Sequence, residues 1–268
     1  MDAASRALHV AFSAMLGACL GSFLNVVAHR SVIGRPWWGA ERSVCENCGR
    51  VLTLFELVPV VSWVVLRGKC RGCGAAFSLR YLAVELTGAV MAGVLAWRWG
   101  IGWAYLLSMI AAFGLFLNSL TDFETGYVFD SFAAVMAAAG LIARAFGGWW
   151  ALLDGLIGAA AGWGVVAVII LASRGGMGWG DAFLMAGVGA LLGWKMALIS
   201  FYLGLMCGAV AAVWLMLRGK VKWGRHDAIP LVPYLALGGL LTLLWGPRIL
   251  AFMGNMYIGK PFRTDWPF

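Results

Sequence analysis

With 62% hydrophobic and 12% charged residues and a mean hydropathy of +0.87, this chain of 268 residues has too much apolar surface for one water-soluble domain to bury. It reads as an all-α polytopic membrane protein. The net charge of +8 fits Lys and Arg holding loops on the cytoplasmic side better than it fits nucleic acid, so the lipid bilayer is the expected partner and nucleic acid is not.

Eight apolar runs approach the ~20 residues that cross a bilayer, at about 7–28, 82–100, 103–121, 127–146, 150–172, 182–195, 197–217 and 229–250. The first contains Asn25 and leads into His29 and Arg30, as a retained helix does and a cleaved signal does not. The sixth run is short, and its boundary with the seventh is the least marked. Gly254 to Phe268 is a polar, aromatic tail of the interfacial kind. This pattern predicts a transmembrane helix over 1–28, a polar insert over 29–81 and a helical bundle over 82–268.

Charge orients the spans. The first interhelical segment carries Arg30, Arg35, Arg42, Arg50, Arg67, Lys69, Arg71 and Arg80, and the last carries Arg218, Lys220, Lys222 and Arg225. Both are expected in the cytoplasm. Alternating eight spans then puts both termini outside and the segments around Asp122 and Asp181 inside, with only scattered cations such as Arg98, Arg144 and Lys195 opposite.

The insert holds four of the six cysteines, as Cys45-x-x-Cys48 and Cys70-x-x-Cys73. Two such knuckles can place four thiolates around Zn²⁺, with Gly49 and Gly74 suited to the tight turns. Paired disulfides are the alternative, which a reducing cytosol disfavours. Four thiolates leave no open position for substrate, so the expected zinc is structural. Cys19 and Cys207 lie in apolar runs and read as small buried hydrophobes.

Two acids stand at membrane edges on the same predicted side. Asp122 closes the third run, and Asp181 follows Gly175-Gly176-Met177-Gly178-Trp179-Gly180. A carboxylate beside long apolar segments is costly to desolvate and points to function. Brought together, two such acids would share a proton and act as base and acid on a peptide bond; taken singly, Asp122 could simply end a helix at the headgroups. Gly176, Gly178 and Gly180 bare one side of the backbone, either for an extended peptide or for close helix packing. Asp130 is placed equally well to cap a helix or to take part, and Asp154 reads as a cap.

These residues resemble the type IV prepilin peptidases, bifunctional membrane aspartic proteases. The resemblance rests on Gly21-Ser22-Phe23-Leu24-Asn25-Val26-Val27 with His29-Arg30, on the paired knuckles, and on Leu57 to Trp63 and Arg80 to Leu86. It continues through Gly176 to Asp181, Ala186 to Ala190 and Ile229 to Ala236. The resemblance implies that Asp122 and Asp181 are the catalytic pair, cleaving the short basic leader of a type IV prepilin or pseudopilin, after a glycine and before a phenylalanine, at the cytoplasmic face of a bacterial inner membrane. It also implies N-methylation of the new N-terminus from S-adenosylmethionine in the zinc insert, with Glu56, Gly68 and Lys69 at family-like positions. The bare backbone edge at Gly176, Gly178 and Gly180 is expected to receive the unwound leader segment by strand-like pairing. The chain departs from the pattern at Phe183, where a lysine is usual, and at Phe129, where a proline is usual. Three other readings stay open: a different Gly-x-Gly-Asp protease similar to presenilin or an archaeal preflagellin peptidase, a proton- or cation-coupled transporter, and an inactive zinc-bearing secretion-system scaffold.

Overall fold

The computed structural model describes residues 2–38, 42–174, 176–219 and 230–258. Lys220, Lys222 and Arg225 of the expected basic loop, Gly175, Ile229 and the tail from 259 to 268 lie outside the described residues. The described residues are helical apart from the insert and short connections. They comprise α1 (Ala3–Val32), a 3-10 turn at Leu54–Leu57, α2 (Val61–Val65), α3 (Leu79–Trp99), α4 (Trp103–Thr125), α5 (Asp130–Phe146), α6 (Trp149–Ala172), α7 (Trp179–Leu192), α8 (Trp194–Leu217) and α9 (Val232–Ile258). The eight long helices follow the eight apolar runs. Six of them are long and apolar enough to cross a membrane, and α5 and α7 are shorter. Four helices, α4, α6, α7 and α8, begin on an exposed tryptophan, the amphipathic residue favoured where a helix meets the headgroups.

The chain forms two compact units, Met1–Ile101 and Gly102–Phe268. In the first, Asp2 caps α1 by accepting the Ser5 amide at 3.0 Å, which carries the helix a turn beyond its apolar run. Helix α3 runs back antiparallel to it, and Arg6 at the start of α1 donates to the Trp97 carbonyl near the end of α3. A Cβ on Gly17 would lie 2.2 Å from the Gly88 carbonyl oxygen, so these helices touch backbone to backbone as small residues in membrane helices allow.

The second unit is built around α7. Fourteen residues rise about 21 Å, short of the ~30 Å hydrocarbon core. Its burial explains its composition: Ala182, Leu184, Met185 and Gly187 to Leu192 are all buried, so the helix is apolar nearly all round. Glycines on α6 let it approach. Cβ atoms on Gly158 and Gly162 would meet the carbonyl oxygens of Gly189 and Met185 at 2.3 and 2.2 Å.

Several boundaries and roles differ from expectation. The sixth and seventh runs part at Gly193, whose φ of +81° suits glycine, instead of between 195 and 197. Helix α9 continues to Ile258, past the expected end at 250. Asp154 is no cap. It lies inside α6 and pairs at 2.8 Å with Arg144, which is 1% exposed and therefore not a loop cation. Arg144 also donates to the carbonyls of Leu191 and Ala151, joining α5, α6 and the C-terminal end of α7. Asp130 is the exposed first residue of α5, and the capping position falls to Phe129. Cys19 is exposed on α1 and Cys207 partly so on α8, because both sit on outward helix faces of their units and not in the core.

Candidate active site

Asp122 lies in the last turn of α4, which Gly126 ends in a left-handed conformation with its amide on the Asp122 carbonyl. Its side chain is 8% exposed, and Oδ2 accepts the backbone N–H of Val232 at 3.0 Å. Val232 is the first residue of α9, where helical amides have no partner within the helix. The carboxylate of Asp122 thus sits on the positive end of another helix, 110 residues away in sequence.

Asp181 lies in the first turn of α7, is 6% exposed, and accepts the Gly178 N–H through Oδ2 at 3.2 Å. It too occupies a helix N-terminus. The two carboxylates are near enough for the charge of Asp122 to act on Asp181. Among the described residues each receives one hydrogen bond, on one oxygen, which leaves the other oxygen for a water or a substrate carbonyl.

The glycines serve this meeting in different ways. Gly176 and Gly178 lie in the non-helical approach to α7, and the Gly176 amide donates to Ser173 Oγ at 3.0 Å. Gly180 is already inside α7, where a Cβ would come within 2.7 Å of the Val128 side chain in the α4–α5 connection. Gly176 and Met177 form a bend and Gly178 alone is extended, at φ −80° and ψ 144°, while Gly180 lets the chain following Asp122 press on the turn that carries Asp181. Asn118, fully buried on α4, holds the same connection by accepting the Phe129 amide at 3.0 Å. A proline at 129 would lack that N–H. Phe183 is exposed on α7, so no cation stands at this place beside Asp181.

Sequence reading missed the Val232 amide, Val128 and Asn118 as parts of this site. Backbone donors leave no residue signature, but Pro230 and Pro233 around Val232 mark a helix start with few amides to offer.

In the first unit the four cysteines converge: the Sγ atoms of Cys45, Cys48, Cys70 and Cys73 all lie within 4.8 Å of one another, an arrangement able to hold a metal ion. The knuckles repeat each other. Cys45 N donates to Arg50 O and Cys70 N to Ala75 O, and Gly49 and Gly74 turn back at φ of +68° and +73°. The cysteines are free, and the four of the insert form one cluster. The amides of Cys73 and Gly72 pull the Cys70 thiol down to about 6 and the Ala75 amide lowers that of Cys73, whereas Cys48, although the Arg50 amide lowers it, is pushed up to about 11 by the neighbouring sulfurs.

Beside the knuckles a cavity of about 1180 Å³ is lined by Glu56, Trp63, Gly68, Phe77, Arg80 and Glu85, among others. Glu56 and Gly68 are thereby brought together, whereas Lys69 is exposed and pairs through its backbone with Ala76. The Arg50 guanidinium bonded to Glu56, helped by the Thr53 amide, holds that carboxyl down at about 2. Gly68 supports the Trp63 ring at φ +64°, where a Cβ would lie 2.7 Å from the indole. The indole Nε1 of Trp63 is buried with no hydrogen-bond partner among the described residues.

The chain resembles known proteins over most of its length. Residues 15–99 match the bacterial peptidase A24 N-terminal domain, and residues 109–213 match the type IV leader peptidase family. The chain is 34% identical over 264 residues to the prepilin leader peptidase/N-methyltransferase of Stutzerimonas stutzeri, covering 88% of this chain and 91% of that one. It is 34% identical over 262 residues to the protein so named in Pseudomonas aeruginosa, covering 88% and 90%, and over 282 residues to that of Burkholderia pseudomallei strain 1026b, covering 92% and 89%. No solved structure shows a significant match to the chain.

Proposed function

The chain belongs to the type IV leader peptidase family, and from that premise we propose that Asp122 and Asp181 are the catalytic dyad of a membrane aspartic endopeptidase acting on type IV prepilins or pseudopilins. The observation that carries the assignment is that two buried carboxylates, on helices α4 and α7 that touch each other, each accept an amide at a helix N-terminus. Two acids so placed hold one proton between them, because both charges together are poorly tolerated away from water. The ionised member takes a proton from a water, whose oxygen attacks the scissile carbonyl carbon. The protonated member gives its proton to the carbonyl oxygen. As the tetrahedral intermediate collapses, the C–N bond breaks and the departing amine takes up a proton. Gly176 and Gly178 receive the extended leader segment beside Asp181, and Gly180 sets the approach of the two helices.

The active site and the insert face the cytoplasm of a bacterial inner membrane, consistent with the many arginines of the insert. Zn²⁺ holds the insert together through Cys45, Cys48, Cys70 and Cys73. The Sγ atoms of Cys45 and Cys73 lie 3.8 Å apart and all four within 4.8 Å, so these residues would hold the ion, which would staple the insert. The first unit is assigned N-methylation of the newly exposed amine. Its cavity fits S-adenosylmethionine by size, by aromatic walls and by the unpartnered Trp63 N–H. That cofactor supplies an activated methyl group when bound. Within the cavity Glu56 is fixed by Arg50 and Gly68 sets the plane of Trp63, with Lys69 on the outer edge. The division of labour is methyl transfer in the first unit, Met1–Ile101, and proteolysis in the second, Gly102–Phe268.

The test is cleavage of a purified prepilin by the protein in nanodiscs. Asp122→Asn and Asp181→Asn each abolish leader removal while keeping the fold, and normal cleavage by either variant refutes the dyad.

A further inference from the structure

Glu85 is a buried carboxylate that neither the dyad nor the metal site uses. It lies on α3, is 8% exposed and lines the large cavity of the first unit. Oε1 accepts Ser22 Oγ at 2.8 Å, and Oε2 accepts the Val60 amide at 2.7 Å. Both donors are neutral, and among the described residues Glu85 has no ion pair. Glu56, in the same cavity, is neutralised by Arg50. A buried carboxylate without a cation is costly to hold and is a receptor for positive charge.

The surroundings hold this group in place at some expense of their own. Val60 has φ +64° and ψ −53°, and the Val61 amide bonds the Pro59 carbonyl at 2.6 Å, which makes Pro59 to Val61 a γ-turn of the rare, strained hand. For a β-branched residue this is an unfavourable conformation, and it is the one that aims the Val60 N–H at Glu85. Gly21 allows α1 to close on α3, since a Cβ there would meet the Val84 carbonyl at 2.8 Å, and Ser22 then reaches Glu85. Asn25, a turn further on, accepts Arg80 Nε at 3.1 Å, so this arginine is turned to Asn25. The aromatic rings of Trp63, Phe77 and Tyr81, whose faces attract a cation, line the same space together with Arg30, Arg35, Arg42 and Arg80.

We propose that Glu85 is the cation-binding carboxylate of this cavity and receives the positive charge of a methyl-transfer reactant. The inference rests on the methyl-transfer reading above. Two reactants carry such a charge: the α-ammonium of the cleaved substrate and the sulfonium of S-adenosylmethionine.

The test uses the full chain in nanodiscs and Glu85→Gln. Leader cleavage is the folding control, calorimetric binding of S-adenosylmethionine and of uncharged-sulfur S-adenosylhomocysteine is the first readout, and KM for methylation of a cleaved N-terminal peptide is the second. Cleavage stays at the wild-type rate, and one of the two constants weakens by about tenfold or more. Weaker binding of S-adenosylmethionine with S-adenosylhomocysteine unchanged assigns the sulfonium. A raised KM for the peptide with donor binding unchanged assigns the ammonium. Both constants unchanged overturns the proposal. If Glu85→Gln does not fold, Ser22→Ala takes its place, weakening the same constant about threefold, and no change there is equally fatal. A wild-type chain that cleaves but neither binds the donor nor methylates refutes the methyl-transfer reading and the proposal with it. A methylating wild type beside an equally competent Glu85→Gln refutes the proposal alone.

Discussion

Replacing Gly189 with alanine tests whether the α6–α7 seam positions the active site. A Cβ at 189 would lie 2.0 Å from the Gly158 carbonyl oxygen, and an ordinary contact begins near 3.4 Å, so the helices must part by about 1.4 Å. Neither side can yield locally, because the obstacle is backbone. Overpacking of this kind costs about 1–3 kcal/mol, and the displaced α7 carries Asp181 at its other end. A misplacement of about 1 Å at a catalytic group lowers rate roughly a hundredfold. The expected kcat/KM for prepilin cleavage, measured in nanodiscs and normalised to the folded fraction from thermal unfolding, is therefore lower by about that factor. Gly164→Ala on α6 is the control, since its Cβ would meet nothing within 4 Å. Wild-type cleavage by folded Gly189→Ala, or an equal loss in both variants, refutes the reasoning.

Four further outcomes follow from other parts of the molecule. Gly68→Ala pushes the Trp63 ring aside and removes methylation of the product, seen by mass, while leader cleavage continues. Asp154→Ala leaves Arg144 buried without its counter-charge and lowers stability by about 3 kcal/mol, read as a fall in Tm, with cleavage per folded molecule unchanged. Cys45→Ser reduces bound zinc, measured by elemental analysis, and impairs methylation before cleavage. Glu56 has a lowered pKa, so its contribution to the insert is complete above its ordinary 4.5 and is lost as pH falls toward about 2. Trp63 fluorescence follows that loss, which Glu56→Gln removes.

Much of this structure was legible because membrane helices must be long and apolar. The eight runs, the knuckle spacing and the two stranded carboxylates each follow from a local rule. What escaped was non-local. Asp122 finds its hydrogen bond on Val232, and no property of residue 232 other than its place at a helix start announces it. Arg144 read as a loop cation because its partners, Asp154 and the Leu191 carbonyl, lie on two other helices. Glycine spacing did not separate Gly178, whose amide holds Asp181 ahead of α7, from Gly180, packed against Val128. Glu85 carried the same signal as Asp122, an acid within an apolar run, but it sat among motif residues and its isolation became visible only once Ser22 and Val60 were placed around it.

The most direct test of the account is intact mass measurement of the N-terminus of a prepilin coexpressed with this chain, with Asp122→Asn and with Asp181→Asn. The account predicts a shortened, methylated terminus with the unaltered chain and a full-length leader with both variants. A leader removed in the presence of either variant, or retained with the unaltered chain across several prepilins, contradicts it.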